Sequence, residues 1–122
     1  MKVLIVAPIH SPIVRSLIAA LKNAGIELIV ASHDAANEDG VIDLGPCHSM
    51  FSYLCFWKIS KLVKEHQPDI VHAHVLNHYG LMAAFQKKPL LIALWGSDVM
   101  LSTKTGSFIK RKLFRLINWF AL

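Results

Sequence analysis

The chain has 122 residues, 54% of them hydrophobic and 17% charged, with a formal net charge of +5. That length fits one domain with a real core and excludes two full ones, while the composition excludes a disordered chain. No apolar run reaches the ~20 residues of a membrane-spanning helix, because Lys, His or Pro interrupts the longest of them.

Lys2–Ile9 is an almost continuous apolar run, the pattern of a parallel strand covered on both faces. Pro8, His10 and Pro12 break it, and no small-residue cleavage site follows, so it reads as a strand rather than a signal peptide. A cytoplasmic location is expected, and Cys47 and Cys55, which match no zinc spacing, fit a reducing compartment. Ser11 is placed to cap a helix that opens with Pro12 and carries Ile13, Leu17, Ile18 and Leu21 at helical spacing. Gly25 ends it at the position that favours glycine.

Glu27–Ser32 reads as a second strand, His33–Gly40 as a polar loop and Val41–Leu44 as a short third strand. Phe51–Gln67 predicts a helix with Leu54, Ile59, Leu62 and Val63 inward, stopped by Pro68. Asp69–His74 is a further strand, His78–Gln86 a short helix, Pro89–Trp95 another strand, Gly96–Asp98 a loop, and Thr105–Leu122 a closing helix. Strand and helix alternate, which predicts right-handed βαβ units and an α/β, Rossmann-like parallel sheet with helices on both faces, in a single domain over residues 1–122. Ligands of such sheets sit beyond the carboxyl ends of the strands, so Ile9–Ser11, His72–His78 and Trp95–Asp98 are the places to search.

Metal is disfavoured there. His72 and His74 point to one side of their strand and His78 follows, but no HExxH or CxxC spacing and no acidic second partner accompanies them. Ser97 lies in LWGSDV rather than in a GxSxG elbow, and Asp98 is the one acidic residue at a plausible strand end, which disfavours hydrolase chemistry. The first turn, APIHSPIV, lacks GxGxxG and so lacks the dinucleotide fingerprint. It does place His10, Ser11 and Arg15 at a helix start, where they suit a phosphate or sugar hydroxyls, or else a plain cap and a solvated arginine. His72 reads as a structural histidine, and His74, nearer the strand's carboxyl end, as the better ligand group. Gly80 reads as an aid to close helix–sheet packing.

The strings PDIVHAHVLNHYGLMAAF and PLLIALWGSDV, with MKVLIV, a Ser-Pro helix start and AGIEL before them, resemble the amino-terminal domain of family-4 glycosyltransferases of the GT-B fold. The resemblance runs through essentially the whole chain and places it in the subgroup whose strand ends in WGSD. It implies half of a GT-B fold: an acceptor-side domain facing a separate domain for the nucleotide-sugar donor, with sugar transfer that usually needs no metal. No cofactor is implied, the nucleotide-sugar being a co-substrate of the complete enzyme. By the same resemblance His10, Ser11 and Arg15 line the acceptor side, His74 sits at the cleft floor, and Gly96, Ser97 and Asp98 face the sugar or acceptor. Trp95 stands where many relatives have a donor-contacting histidine; it stacks on a sugar but moves no proton.

Relatives continue into the donor domain after RKLFRLINWFAL, so the chain is expected to be incomplete at its C-terminus. It is then inactive alone, needing a donor domain in trans if it is one half of a split enzyme. The closing helix puts Ile109, Leu113, Leu116, Ile117 and Phe120 on one face and Lys110, Arg111, Lys112 and Arg115 on the others. Those cations serve either as a solvated face or as a peripheral contact with anionic lipid at the inner membrane surface, apt for a lipid-linked acceptor. No nucleic-acid module is recognised. The rival reading is a non-enzymatic α/β interaction module that retains the fold.

Overall fold

The computed structural model describes residues 1–35, 38–47 and 55–95, together with helical positions 108, 111, 112, 115, 116 and 119. The elements run β1 (Lys2–Val6), α1 (Pro12–Asn23), β2 (Glu27–Ser32), β3 (Val41–Asp43), α2 (Phe56–His66), β4 (Ile70–His74), a π-helical turn (Leu76–Gly80), α3 (Leu81–Ala84) and β5 (Leu90–Ala93). All five strands are parallel, in the order β3-β2-β1-β4-β5. Ile5 of β1 lies between Val30 of β2 and His72 of β4, and His72 faces Leu91 of β5.

Because side chains alternate along a strand, β1 feeds two cores. Leu4 and Val6 point to one face, where they pack with Val71, Ala73, Ile59 and Leu62 beneath α2 and α3. Val3, Ile5 and Ala7 point to the other, where Val14 and Ile18 of α1 cover them. Right-handed crossovers dictate this division: the β1–β2 connection runs one way along the sheet and the next two the other way, so their helices land on opposite faces. Burying a side chain of the size of Leu4 or Ile5 contributes roughly 1.5–3 kcal/mol each.

The end of α1 matches its glycine signal in detail. Gly25 has φ +74°, its N–H donates to Lys22 O (3.0 Å), and Ile26 N–H donates to Leu21 O (3.1 Å), the paired bonds of a Schellman motif. Its start differs from expectation. Ser11 has the extended cap backbone (φ −68°, ψ 125°), but its hydroxyl makes no capping bond; Pro12 at the first position leaves one orphan N–H fewer to satisfy. The inner face of α1 is Val14 and Ile18, with Leu21 partly buried, whereas Ile13 is 65% exposed.

The helix expected over His78–Gln86 begins earlier, as the π turn at Leu76. Gly80 there is helical rather than left-handed, and a Cβ on it would meet Val75 O at 3.5 Å and Leu76 and Ile92 side chains at 3.6 Å. Those are ordinary contacts, so close packing does not require glycine. Leu54 of the expected second helix lies outside the described residues.

Candidate functional site

Between β1 and β4 the chain departs in opposite directions, towards α1 on one side and α3 on the other. This opens a crevice at the carboxyl edge, where open α/β sheets hold their ligands. One wall is the first turn, residues 7–11. Its shape is set from β2. Ser32 Oγ, fully buried, donates to Ala7 O (2.6 Å), and Ile9 N–H donates to Asp34 Oδ1 (3.0 Å). Ser32 and Asp34 are also directly hydrogen-bonded.

Tyr79 from the π turn completes this network. Its hydroxyl accepts from His33 N–H (3.2 Å) and lies 3.2 Å from Ser32 Oγ. Burial pushes the Tyr79 phenol up, so it stays protonated and holds a proton to share with Ser32. Burial also raises Asp34, but the bonds from Ser32 and the backbone of Ile9 and His10, with the His10 charge, outweigh it and hold the carboxyl below its ordinary value. His33 Nδ1 donates to Gly45 O (2.6 Å), which fixes its neutral tautomer with Nε2 as an acceptor, and that buried atom has no partner.

Arg15 stands at the outer side of the same turn. Its Nε donates to Ile9 O (3.1 Å) and its Nη2 pairs with Glu38 Oε2 (3.0 Å), so it is neither simply solvated nor vacant for an anion. His10 is exposed in the turn and Ser11 half-buried behind it.

The opposite wall is the tip of β4. His72 and His74 share the α1 side of the sheet, with ring centroids 4.6 Å apart, as alternation requires. His74 is only 4% exposed, and neither of its ring nitrogens has a hydrogen-bond partner among the described residues. Burial, and then the charge of His72, lower its pKa to about 4; burial lowers His72 as well. Trp95, just past β5, meets His74 edge-on with centroids 6.5 Å apart and packs on the cluster holding Ala7, Ile9 and Val14. The two walls therefore meet through Trp95.

Val75 follows His74 with φ +72°, a left-handed conformation that is costly for a β-branched residue. The bond from Gly80 N–H to Val75 O (3.0 Å) holds it there. Strain of this kind, beside a π turn, is characteristic of sites where shape outranks stability.

Near neutral pH His74 is uncharged, with one donor and one acceptor nitrogen. It suits a hydroxyl better than an anion, and with so low a pKa it is a poor general base. Among the described residues no three His, Cys, Asp or Glu converge as metal ligands. Gly96, Ser97, Asp98 and Lys110 lie outside the described residues, so the structure joins His10, Ser11, His74 and Trp95 around the crevice and leaves those four aside. Ser32, Asp34 and Tyr79 were not singled out from sequence. A polar Ser-His-Asp string at the end of a buried strand was the signal available for the first two.

A parallel sheet of this order, with its polar residues gathered at the switch point, defines a Rossmann-like α/β domain. The chain matches the glycosyl transferase 4-like family over residues 2–119 and belongs to it. Its structure is similar to that of UDP-GlcNAc 2-epimerase from Methanocaldococcus jannaschii, with a TM-score of 0.62 and 18% identity over 96% of this chain and 37% of that one. This chain thus spans little more than a third of that enzyme, and the likeness is one of fold. No individual curated protein sequence matches.

Proposed function

We propose that this domain is the acceptor-binding side of a sugar transferase, holding a glycan or lipid-linked acceptor in the crevice between the first turn and the tip of β4. The observation that carries this reading is His74: a buried imidazole with both nitrogens unpartnered is destabilising unless something else fills its bonds. A sugar hydroxyl has the right chemistry for a neutral imidazole, and Trp95 offers an apolar edge beside it. Family membership and the WGSD string support transfer as the reaction.

In this reading the donor nucleotide-sugar is held by a separate donor-binding domain, acting with this one across the crevice, and the chain alone does not transfer sugar. Peripheral membrane contact through Lys110, Arg111, Lys112 and Arg115 accompanies it. Phe108, Lys112, Arg115 and Trp119 are exposed at spacings that share one helical face. Among the described residues no helix is long and apolar enough to cross a membrane.

The test is an NMR titration of the isotope-labelled chain with lipid-free acceptor sugars and, separately, with nucleotide-sugars. Shifts at the amides of Ile9–Ser11 and His74–Leu76 with an acceptor sugar, and none with nucleotide-sugars, support the assignment. Saturable nucleotide-sugar binding, or shifts confined to other surfaces, contradicts it.

A further inference from the structure

The outward face of α2 is unlike a solvated helix face. Trp57 is 57% exposed, Phe56 40% and Phe85 48%, and Phe56 touches both neighbours, with ring centroids 5.7 Å from Trp57 and 5.2 Å from Phe85. Three exposed aromatic rings in one patch are costly in water and mark a contact surface. One and two turns on from Trp57, on the same face, stand Lys61 and Lys64, both exposed. The inner face, with Ile59 and Leu62 buried, is already spent on the core. Lys58 turns inward to Leu44 O.

We infer that this surface, Trp57 with Phe56 and Phe85 ringed by Lys61 and Lys64, docks the domain on an anionic lipid bilayer. Trp and Phe settle at the headgroup level of a bilayer, and each nearby lysine strengthens attachment to anionic lipid about fivefold. Charge complementarity favours that occupant over a glycan. The Phe56 ring is tilted 77° to Trp57 and 41° to Phe85, so the three present no flat platform for stacked sugars. The position also fits. Because α2 runs back to the start of β4, its first turn lies at the carboxyl edge of the sheet, and Lys58 ties it to the end of β3. A bilayer met there lies along the same edge as the crevice. The inference stands apart from sugar transfer, since vesicle binding needs no sugar and the acceptor titration needs no vesicles.

The test is co-sedimentation of the full chain with vesicles of phosphatidylcholine alone and of equimolar phosphatidylcholine and phosphatidylglycerol. The expected result is salt-sensitive binding to the anionic vesicles only, weakened about tenfold by Trp57→Ala and about twentyfold or more by Lys61→Glu with Lys64→Glu. Far-UV circular dichroism verifies that these surface variants keep the fold. A reading free of charge variants is quenching of tryptophan emission by brominated lipid, part of which disappears in Trp57→Phe. No sedimentation with anionic vesicles, equal binding to phosphatidylcholine, or capture by immobilised neutral polysaccharide instead would overturn the inference. So would binding that survives both α2 variants and is lost only on Arg111→Glu, Lys112→Glu and Arg115→Glu.

Discussion

His72 and His74 stand ring beside ring on β4, with centroids 4.6 Å apart, and the buried one of the pair has no hydrogen-bond partner among the described residues. A proton on either ring is therefore a charge placed in a poorly solvated site beside a second imidazole.

The consequence is acid sensitivity with a defined window. The His74 pKa lies at about 4 in the folded chain, against an ordinary 6.5, so the unfolded chain takes up protons first as pH falls. Stability is full above about pH 6.5 and declines down to about 4, by something on the order of 2 kcal/mol. Urea unfolding at a series of pH values checks this, and His74→Leu should flatten that stretch. Asp34 acts in a different window. Its lowered pKa supports the fold above the ordinary carboxylate range and loses that contribution only below it.

Asp34 should matter locally as well. Asp34→Ala leaves Ile9 N–H without its 3.0 Å acceptor and should cost about 1–2 kcal/mol, with faster hydrogen exchange at the Ile9 amide. Tyr79→Phe removes one member of the same network and should cost about 1 kcal/mol. Unchanged exchange at Ile9 in Asp34→Ala would show that the turn is held by something else.

Two backbone positions should respond in opposite senses to glycine. Gly80 is helical with room for a methyl group, so Gly80→Ala should stabilise by about 0.5–1 kcal/mol through helix propensity. Gln67 caps α2 at φ 47°, in the left-handed region, so Gln67→Gly should stabilise by a similar ~0.5–1 kcal/mol. Denaturant midpoints of the two variants decide both.

The sheet was legible in the sequence because its signals are strong and local: β2 spans the expected Glu27–Ser32, and β4 departs by one residue at its start. The helix interiors were less so. Ile13 follows the apolar spacing of α1 yet points to water, because Val14 and Ile18 lie more squarely over β1 and periodicity alone does not fix where the stripe is centred. The site was half legible. Strand-end histidines can be placed from topology, whereas the partnership of Ser32 with Ala7 and Tyr79 joins residues 25 and 47 positions apart and leaves no spacing to read. The strain at Val75 was likewise invisible, since valine is an ordinary strand residue by type.

The most direct measurement takes stability and sugar binding together in His74→Leu at neutral pH. An apolar side chain of similar size removes two unpartnered buried nitrogens, so the expected result is a domain more stable by about 1–2 kcal/mol that has lost acceptor-sugar binding by about tenfold or more. A variant that is less stable and binds acceptor sugars as before would make His74 part of the scaffold and contradict the assignment of the crevice.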